Sequence, residues 1–507
     1  MHLFSIAAQA KYGVGDNDAA ERFCKRVIAQ HKGDNPNVTI VEALPAFHVY
    51  LDIIGDRGEK ETALELCLEL LYELGIAVPK SGKMLRAKVW WTLKQIERRL
   101  PTEESVINMP HVTDPLVVYK MELIQQTSSL AYTAKKTYLY MLLCCESVKH
   151  IVEHGLTDTS AASIASFANV LMHVYNDFKT SPQLAELAIL IADRQQSKFN
   201  ETQPLNTANN LVLAWVRPLS SRLKYHQRAY MSGIASGNVN GAMVGKWFWF
   251  QISLFACPIS LPELEGEVRE GVTEMHKLGQ GFMASTASIV WQLVLNLIGK
   301  SGNPNTSVLT GEAIDERTEL YTQKMPLKVI IGPWKSMSLL FFGDYEAAAE
   351  HALRRGDKFP KLAIGMIYGF EAVFRAVPLF IMARLDDAQK AKYKKEALKL
   401  LKRIRTWVKK GCKNLVGPHQ LIEAELMASQ KNAKWARSYF EMAILICRKD
   451  NFHQFSGLSC ELYSDYLSEI GDFKGSKIQF QDAIDDYSRW GATRKVDFLK
   501  HKLALIG

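Results

Sequence analysis

The sequence predicts an all-α protein, an α-solenoid of stacked antiparallel helix hairpins. Three observations carry this. Apolar residues recur at helical spacing along most of the chain, runs with strand alternation are scarce, and a short turn motif recurs ahead of amphipathic segments. Of the 507 residues, 48% are hydrophobic and 23% charged, an ordinary balance for a folded protein that sets disorder aside.

The helices read directly. In residues 63–74, Leu64, Leu68, Leu71 and Leu74 share one face while Glu65, Glu69 and Glu73 share another. Residues 138–154 and 437–448 follow the same pattern. The best strand candidate, Val329-Ile330-Ile331, is short and ends at Gly332-Pro333, so it suits the end of a helix equally well. Strand content is therefore expected well below the roughly 20–25% of globular proteins, in a right-handed stack of helix pairs.

Clusters of Pro, Gly and Asn break the periodicity at 31–37, 79–83, 101–115, 195–206, 257–262 and 411–418. The clearest break is 300–311, KSGNPNTSVLTG. It divides the expected solenoid into an N-terminal part, 1–299, and a C-terminal part, 312–507, with 300–311 as the connecting loop.

The turn motif is Gly, then Asp or Asn, then a small residue four positions after the Gly. It occurs as Gly15-Asp16 with Ala19, Gly237-Asn238 with Gly241, Gly343-Asp344 with Ala347, and Gly471-Asp472 with Gly475; Gly58-Glu59 with Ala63 is a looser copy. The glycine leaves one helix in a left-handed conformation, the Asp or Asn caps the next, and the small residue lets the helices approach. A hairpin of this kind cannot bury its apolar face alone, so hairpins stack.

The N-terminus, MHLFSIAAQAKYG, lacks the basic start, apolar run and cleavage site of a signal peptide. It reads as a helix already under way without a cap, as in a chain that begins upstream of Met1 or in a fragment. The eight cysteines are scattered and no pair has CxxC spacing, which points to reduced thiols and a cytoplasmic location. Residues 279–299 carry no charge, but Gln280, Gln292, Asn296 and several hydroxyls need partners that lipid does not offer. With no second comparable stretch evident, a buried core helix is the expectation rather than a membrane span.

Catalytic and cofactor motifs are missing or incomplete. Gly299-Lys300-Ser301 resembles the end of a phosphate loop, yet the position five residues before Gly299 is Val294 rather than glycine. Gly279-Gln280-Gly281 with Ala284 mimics a dinucleotide fingerprint without the strand that should precede it. There is no HExxH, HRD or DFG, and His48, His150 and His154 read as core or capping histidines. The aromatic run 246–250, Trp90-Trp91 and Trp215 read as buried packing. No cofactor or metal is expected, and no catalysis by this chain.

Charge is more informative. Residues 390–413 hold eleven Lys or Arg and one acid, Glu396, a local charge of +10; the chain totals +9, so everything else sums to −1. Tyr393, Ala397, Leu401, Ile404 and Val408 line one helical face, with Leu400 and Trp407 beside it. The opposite face is either simply solvated or docks an acidic protein, with an anionic membrane surface or nucleic acid as lesser alternatives, and Lys394, Lys399, Lys402 and Arg405 are the candidate partner-binding residues. A calmodulin-like clamp would also need Leu401, Ile404 and Trp407, which a stacked hairpin buries. Nucleic acid is disfavoured, since no further basic stripe is apparent to extend the footprint.

Four segments add a resemblance: Ala63 to Leu74 with Gly75 and Pro79; His154-Gly155 with Ser160-Ala161; Trp215-Val216-Arg217-Pro218; and Trp490-Gly491-Ala492 with Lys495, Val496 and Leu499. In this order they resemble the TPR-like helical-repeat region that follows the nucleotide-binding module of large STAND/AAA-type signalling ATPases, often fused to Ser/Thr-kinase or histidine-kinase domains. The resemblance runs from about Gly15 to Leu499. It implies a regulatory scaffold for protein–protein interaction and transfers no catalytic residue. The alternatives are part of an ATPase or kinase whose catalytic domains lie outside this chain, and a small-molecule sensor with its ligand inside the solenoid.

Overall fold

A computed structural model describes all residues except 1, 14–15, 34–37, 58, 325, 357–364 and 507; for 2, 13, 56 and 504–506 it describes the backbone only. Among the described residues there are twenty-six α-helices and no strand. The β-type pairing among them is limited to two isolated bridges, His111 with Leu156 and Thr310 with Asp315. The chain divides into two compact units, 1–175 with 183–200, and 176–182 with 201–507.

In the first unit, helix Thr137–His154 is buried on nearly every side, Cys144 and Cys145 included. Gly82–Glu97, Pro115–Thr133 and Ser160–His173 pack against it. Helix Gly82–Glu97 buries Val89, Thr92, Leu93 and Ile96, a helical stripe that leaves its neighbours outside. Trp90 and Trp91 are consequently 57% and 60% exposed, which corrects the expectation of buried rings; Trp215, in the second unit, is fully buried.

The second unit is a succession of hairpins. Leu223–Ser236 packs on Val239–Ala256, Leu261–Lys277 on Gly281–Ile298, Met366–Leu385 on Lys390–Lys409, Val416–Ser429 on Ala433–Lys449, and His453–Glu469 on Phe473–Trp490. Phe255, Phe370, Phe374 and Phe455 form a continuous ring cluster, with centroids 4.5–6.3 Å apart. Fully burying one such side chain stabilises the fold by roughly 1.5–3 kcal/mol.

The turn motif does what its chemistry requires. The Asp or Asn side chain accepts the N–H three residues on: Asp16 from Ala19 at 3.2 Å, Asn238 from Gly241 at 3.0 Å, Asp344 from Ala347 at 3.4 Å, Asp472 from Gly475 at 2.9 Å. Gly237, Gly343 and Gly471 have φ of 79°, 75° and 85°, the left-handed region where a side chain is strained. Gly15 and Gly58 lie outside the described residues. The same turn also occurs without glycine, at Lys135, Lys431 and Asn451, whose φ values are 57–60°. In both versions the next N–H reaches the carbonyl five residues back, as Asp344 does to Leu339 and Asn432 to Met427.

Three expectations change. Val329-Ile330-Ile331 lie inside helix Leu327–Phe341, which runs on through Gly332 and Pro333. The break at 195–206 is largely helical: Lys198–Asn206 continues into the π-helical turn Thr207–Leu213. The loop at 300–311 lies within the second unit and is tied down along its length. Asn296 donates to the carbonyls of Thr306 and Val308 at 2.9 and 2.8 Å, and Gln292 accepts from the Ala313 N–H at 2.9 Å. These bonds also show how the polar groups of the uncharged helix Gly281–Ile298 are satisfied. A second helix, Met366–Leu385, is as long and apolar, which the sequence reading missed; the hydrophobic windows of the two are 78% and 89% buried within the fold. All eight cysteines are free.

Candidate partner-binding face

Helix Lys390–Lys409 buries Tyr393, Ala397, Leu400, Leu401 and Ile404, and packs on Met366–Leu385. That burial fixes which side faces water. At about 100° per residue, Lys392, Lys395, Lys399, Lys402 and Lys409 fall opposite the buried stripe, and all five are exposed. At 1.5 Å rise per residue the stripe is on the order of 25 Å long, and its first four lysines are spaced about 4.5–6 Å apart along the axis. This is inside the ~8 Å Debye length at physiological salt, so those charges act jointly on an approaching partner.

The four residues singled out in the sequence differ in place. Lys402 is exposed without an ion pair among the described residues, Lys399 is exposed and paired with Glu396 at 2.7 Å, and Lys394 is half-buried at the flank. Arg405 is exposed but already paired: its Nε and Nη2 each donate to Glu423, both at 2.6 Å. Burial pushes the Glu423 carboxyl up, but hydrogen bonds from His419 and Arg405 outweigh it and hold the group down at about 2. Arg405 is thus a brace between helices. Lys392, Lys395 and Lys409, outside the four candidates, hold the outward face that the phase of the apolar stripe marks. Lys410 is also used internally, donating to the Asn176 carbonyl at 2.6 Å. Trp407 is half-buried, edge-on to Trp215 with centroids 5.0 Å apart.

Other candidates resolve into packing. Gly299 is the left-handed cap of helix Gly281–Ile298, so Gly299-Lys300-Ser301 follows a helix C-terminus. The partial charge there is negative, the reverse of what a phosphate needs. Gly279, with φ of 71°, turns the chain between Leu261–Lys277 and Gly281–Ile298. Trp247, Phe248 and Trp249 are half-buried and Phe250 is buried. His48 bonds Gln126 at 3.1 Å.

His150, Glu153 and His154 present ligand atoms all within 4.8 Å of one another, a set suited to zinc that the His-x-x-Glu-His spacing could have flagged. Burial first, then the charges of Lys120, His154 and Lys149, hold His150 down at about 4, so its imidazole is the free base at neutral pH. The two imidazoles stack with centroids 5.5 Å apart.

No family model matches the chain, and neither does any curated protein. Among solved structures, the chain is similar to a "circular tandem repeat protein with novel repeat topology and enhanced subunit contact surfaces". Identity is 11%, over 100% of this chain and 94% of that one, with a TM-score of 0.15. A likeness at that level carries no argument about fold or function.

Proposed function

We propose that the chain is a non-catalytic, cytoplasmic scaffold, a TPR-like α-solenoid of stacked hairpins, that holds protein partners and docks an acidic one on the lysine stripe of helix Lys390–Lys409. The stripe carries this reading. Five lysines share one solvent face, and the helix that bears them buries Tyr393, Ala397, Leu400, Leu401 and Ile404 inside the fold, with Leu398 exposed at the flank. The intact chain therefore offers an acidic partner charge rather than an amphipathic groove. In keeping with the resemblance, the scaffold serves as a regulatory arm of a signalling ATPase, with ATPase or kinase activity residing outside this chain.

The test uses the intact chain and a Glu-rich helical peptide as probe, at low and high salt. Wild type is compared with Lys392→Gln/Lys395→Gln/Lys399→Gln/Lys402→Gln. Exposed pairs contribute roughly 0.2–1 kcal/mol each, so the four changes should cost about 1–4 kcal/mol, from about fourfold to several hundredfold in affinity. Wild-type binding should weaken with salt. Equal binding by both proteins, or tighter binding to DNA than to the peptide, would return the stripe to a solvated face or to another ligand class.

A further inference from the structure

A cavity of about 350 Å³ opens in the second unit beside helices Leu327–Phe341 and Tyr345–Arg355, and Arg317, Lys328, Lys335, His351 and Arg355 line it together with one carboxylate, Glu316. The volume falls in the ~300–1,000 Å³ range of small-molecule sites. Four cations face a single lining acid, an arrangement that neither the lysine stripe nor the core packing uses.

The two arginines are held by acids outside the lining. Arg317 forks onto Asp315, with both bonds at 2.8 Å, and Arg355 Nε donates to the fully buried Glu371. Neither Asp315 nor Glu371 lines the cavity. Lys335 pairs with Glu316 at 2.5 Å, and exposed Lys328 has no ion pair among the described residues. Gly332 makes room for the guanidinium: a Cβ there would meet Arg355 Nη1 at 2.1 Å. His351 Nε2 is buried without a hydrogen-bond partner, so a bonding position beside the cations is unfilled.

Charge and shape together select the ligand class. With the backing groups counted, the four lining cations and Arg375, which shares Glu371 at 3.8 Å, stand against Glu316, Asp315 and Glu371, a net of +2. A net so small will not hold any anion by field alone. A tetrahedral phosphate brings several oxygens that can engage two lysines and an arginine fork at once; a lone carboxylate brings two in a plane. We propose that this cavity binds a small organic phosphate. The inference is independent of the lysine stripe.

Calorimetry on the full chain tests it with ribose 5-phosphate, and with inorganic pyrophosphate as the second probe. Ribose 5-phosphate should bind saturably at one site. Lys328→Gln touches no internal ion pair and should weaken binding several-fold with the melting temperature unchanged. Lys328→Gln/Lys335→Gln should weaken it by at least about tenfold, the loss of one charge-assisted bond or more. Lys399→Gln/Lys402→Gln should bind like wild type. Absence of saturable heat with ribose 5-phosphate overturns the proposal, even if pyrophosphate binds. Equal weakening by the cavity variants and by Lys399→Gln/Lys402→Gln overturns it too, because binding would then follow overall charge.

Discussion

Lys495 is a fully buried lysine, and the cost of removing it can be worked from its surroundings. Its Nζ donates to Glu461 at 2.7 Å and to the Phe341 carbonyl, and Glu461, itself 2% exposed, accepts the Tyr487 hydroxyl at 2.9 Å. Burial pushes the Lys495 ammonium down from its ordinary range while Glu461 pulls it back. Lys495→Met keeps the volume but leaves a buried carboxylate facing only a phenol. Breaking such a pair from one side costs about 3–5 kcal/mol, because the surviving charge stays desolvated. Glu461→Leu strands the ammonium and should cost as much. Lys495→Met/Glu461→Leu removes both charges, leaving only the Tyr487 hydroxyl and the Phe341 carbonyl short of partners, at roughly 1–3 kcal/mol each. The single costs sum to about 6–10 kcal/mol and the double variant should cost about 2–6 kcal/mol, a shortfall of about 4 kcal/mol at the middle of the two ranges. Urea unfolding followed by tryptophan fluorescence measures this, since Trp490, at the end of the preceding helix, is buried. Strict additivity, or a Lys495→Met cost below about 1 kcal/mol, would refute the reasoning.

Two glycines of helix Leu261–Lys277 make opposite predictions. Gly271→Ala puts a Cβ 2.4 Å from Phe250 Cζ and should destabilise by about 1–3 kcal/mol, whereas Gly266→Ala meets nothing within 4 Å and should stabilise by roughly 0.5–1 kcal/mol, both read in urea. Arg405→Gln should lower stability at pH 7, and Lys402→Gln should stay within about 0.5 kcal/mol of wild type in the same assay. Because the Glu423 carboxyl is held near 2, its contribution is present above about pH 4.5 and disappears as pH falls toward 2; a pH series of unfolding curves should show the Arg405→Gln difference shrinking over that window. The opposite sign applies to Glu425, which burial raises to about 7 against the pull of Arg384. Stability from that group is present below about pH 4.5 and lost as pH rises through 7, and Glu425→Gln should flatten this slope. Finally, Lys300→Ala should leave any heat seen with Mg-ATP unchanged, because Lys300 follows the negative end of its helix.

What rests on local chemistry is legible in the residues alone. Helical periodicity, the glycine turns with their Asp and Asn caps, and the concentration of charge in 390–413 need only neighbours a few residues away, and the turns and caps at Asn238, Asp344 and Asp472 form as their chemistry requires. The outward phase of Lys392, Lys395 and Lys409 was equally legible, since Tyr393, Ala397 and Leu401 mark the opposite side. Other features depend on partners far along the chain. The turns at Lys135, Lys431 and Asn451 carry no glycine to announce them; the packing of the two helices they join holds the backbone in the left-handed region. Trp90 sits off the stripe Val89, Leu93 and Ile96 and among Arg86, Lys88 and Lys94, whereas Trp215 lies in an unbroken apolar run, so one is exposed and the other buried; which neighbour covers each face is set only by the packing. The brace from Arg405 to Glu423 spans eighteen residues. The cavity joins Arg317, on a loop, to Arg355, at the end of a helix. Such pairings come from the packing of whole helices against one another, and packing is decided by many weak contacts summed over the fold, which no short window of sequence contains.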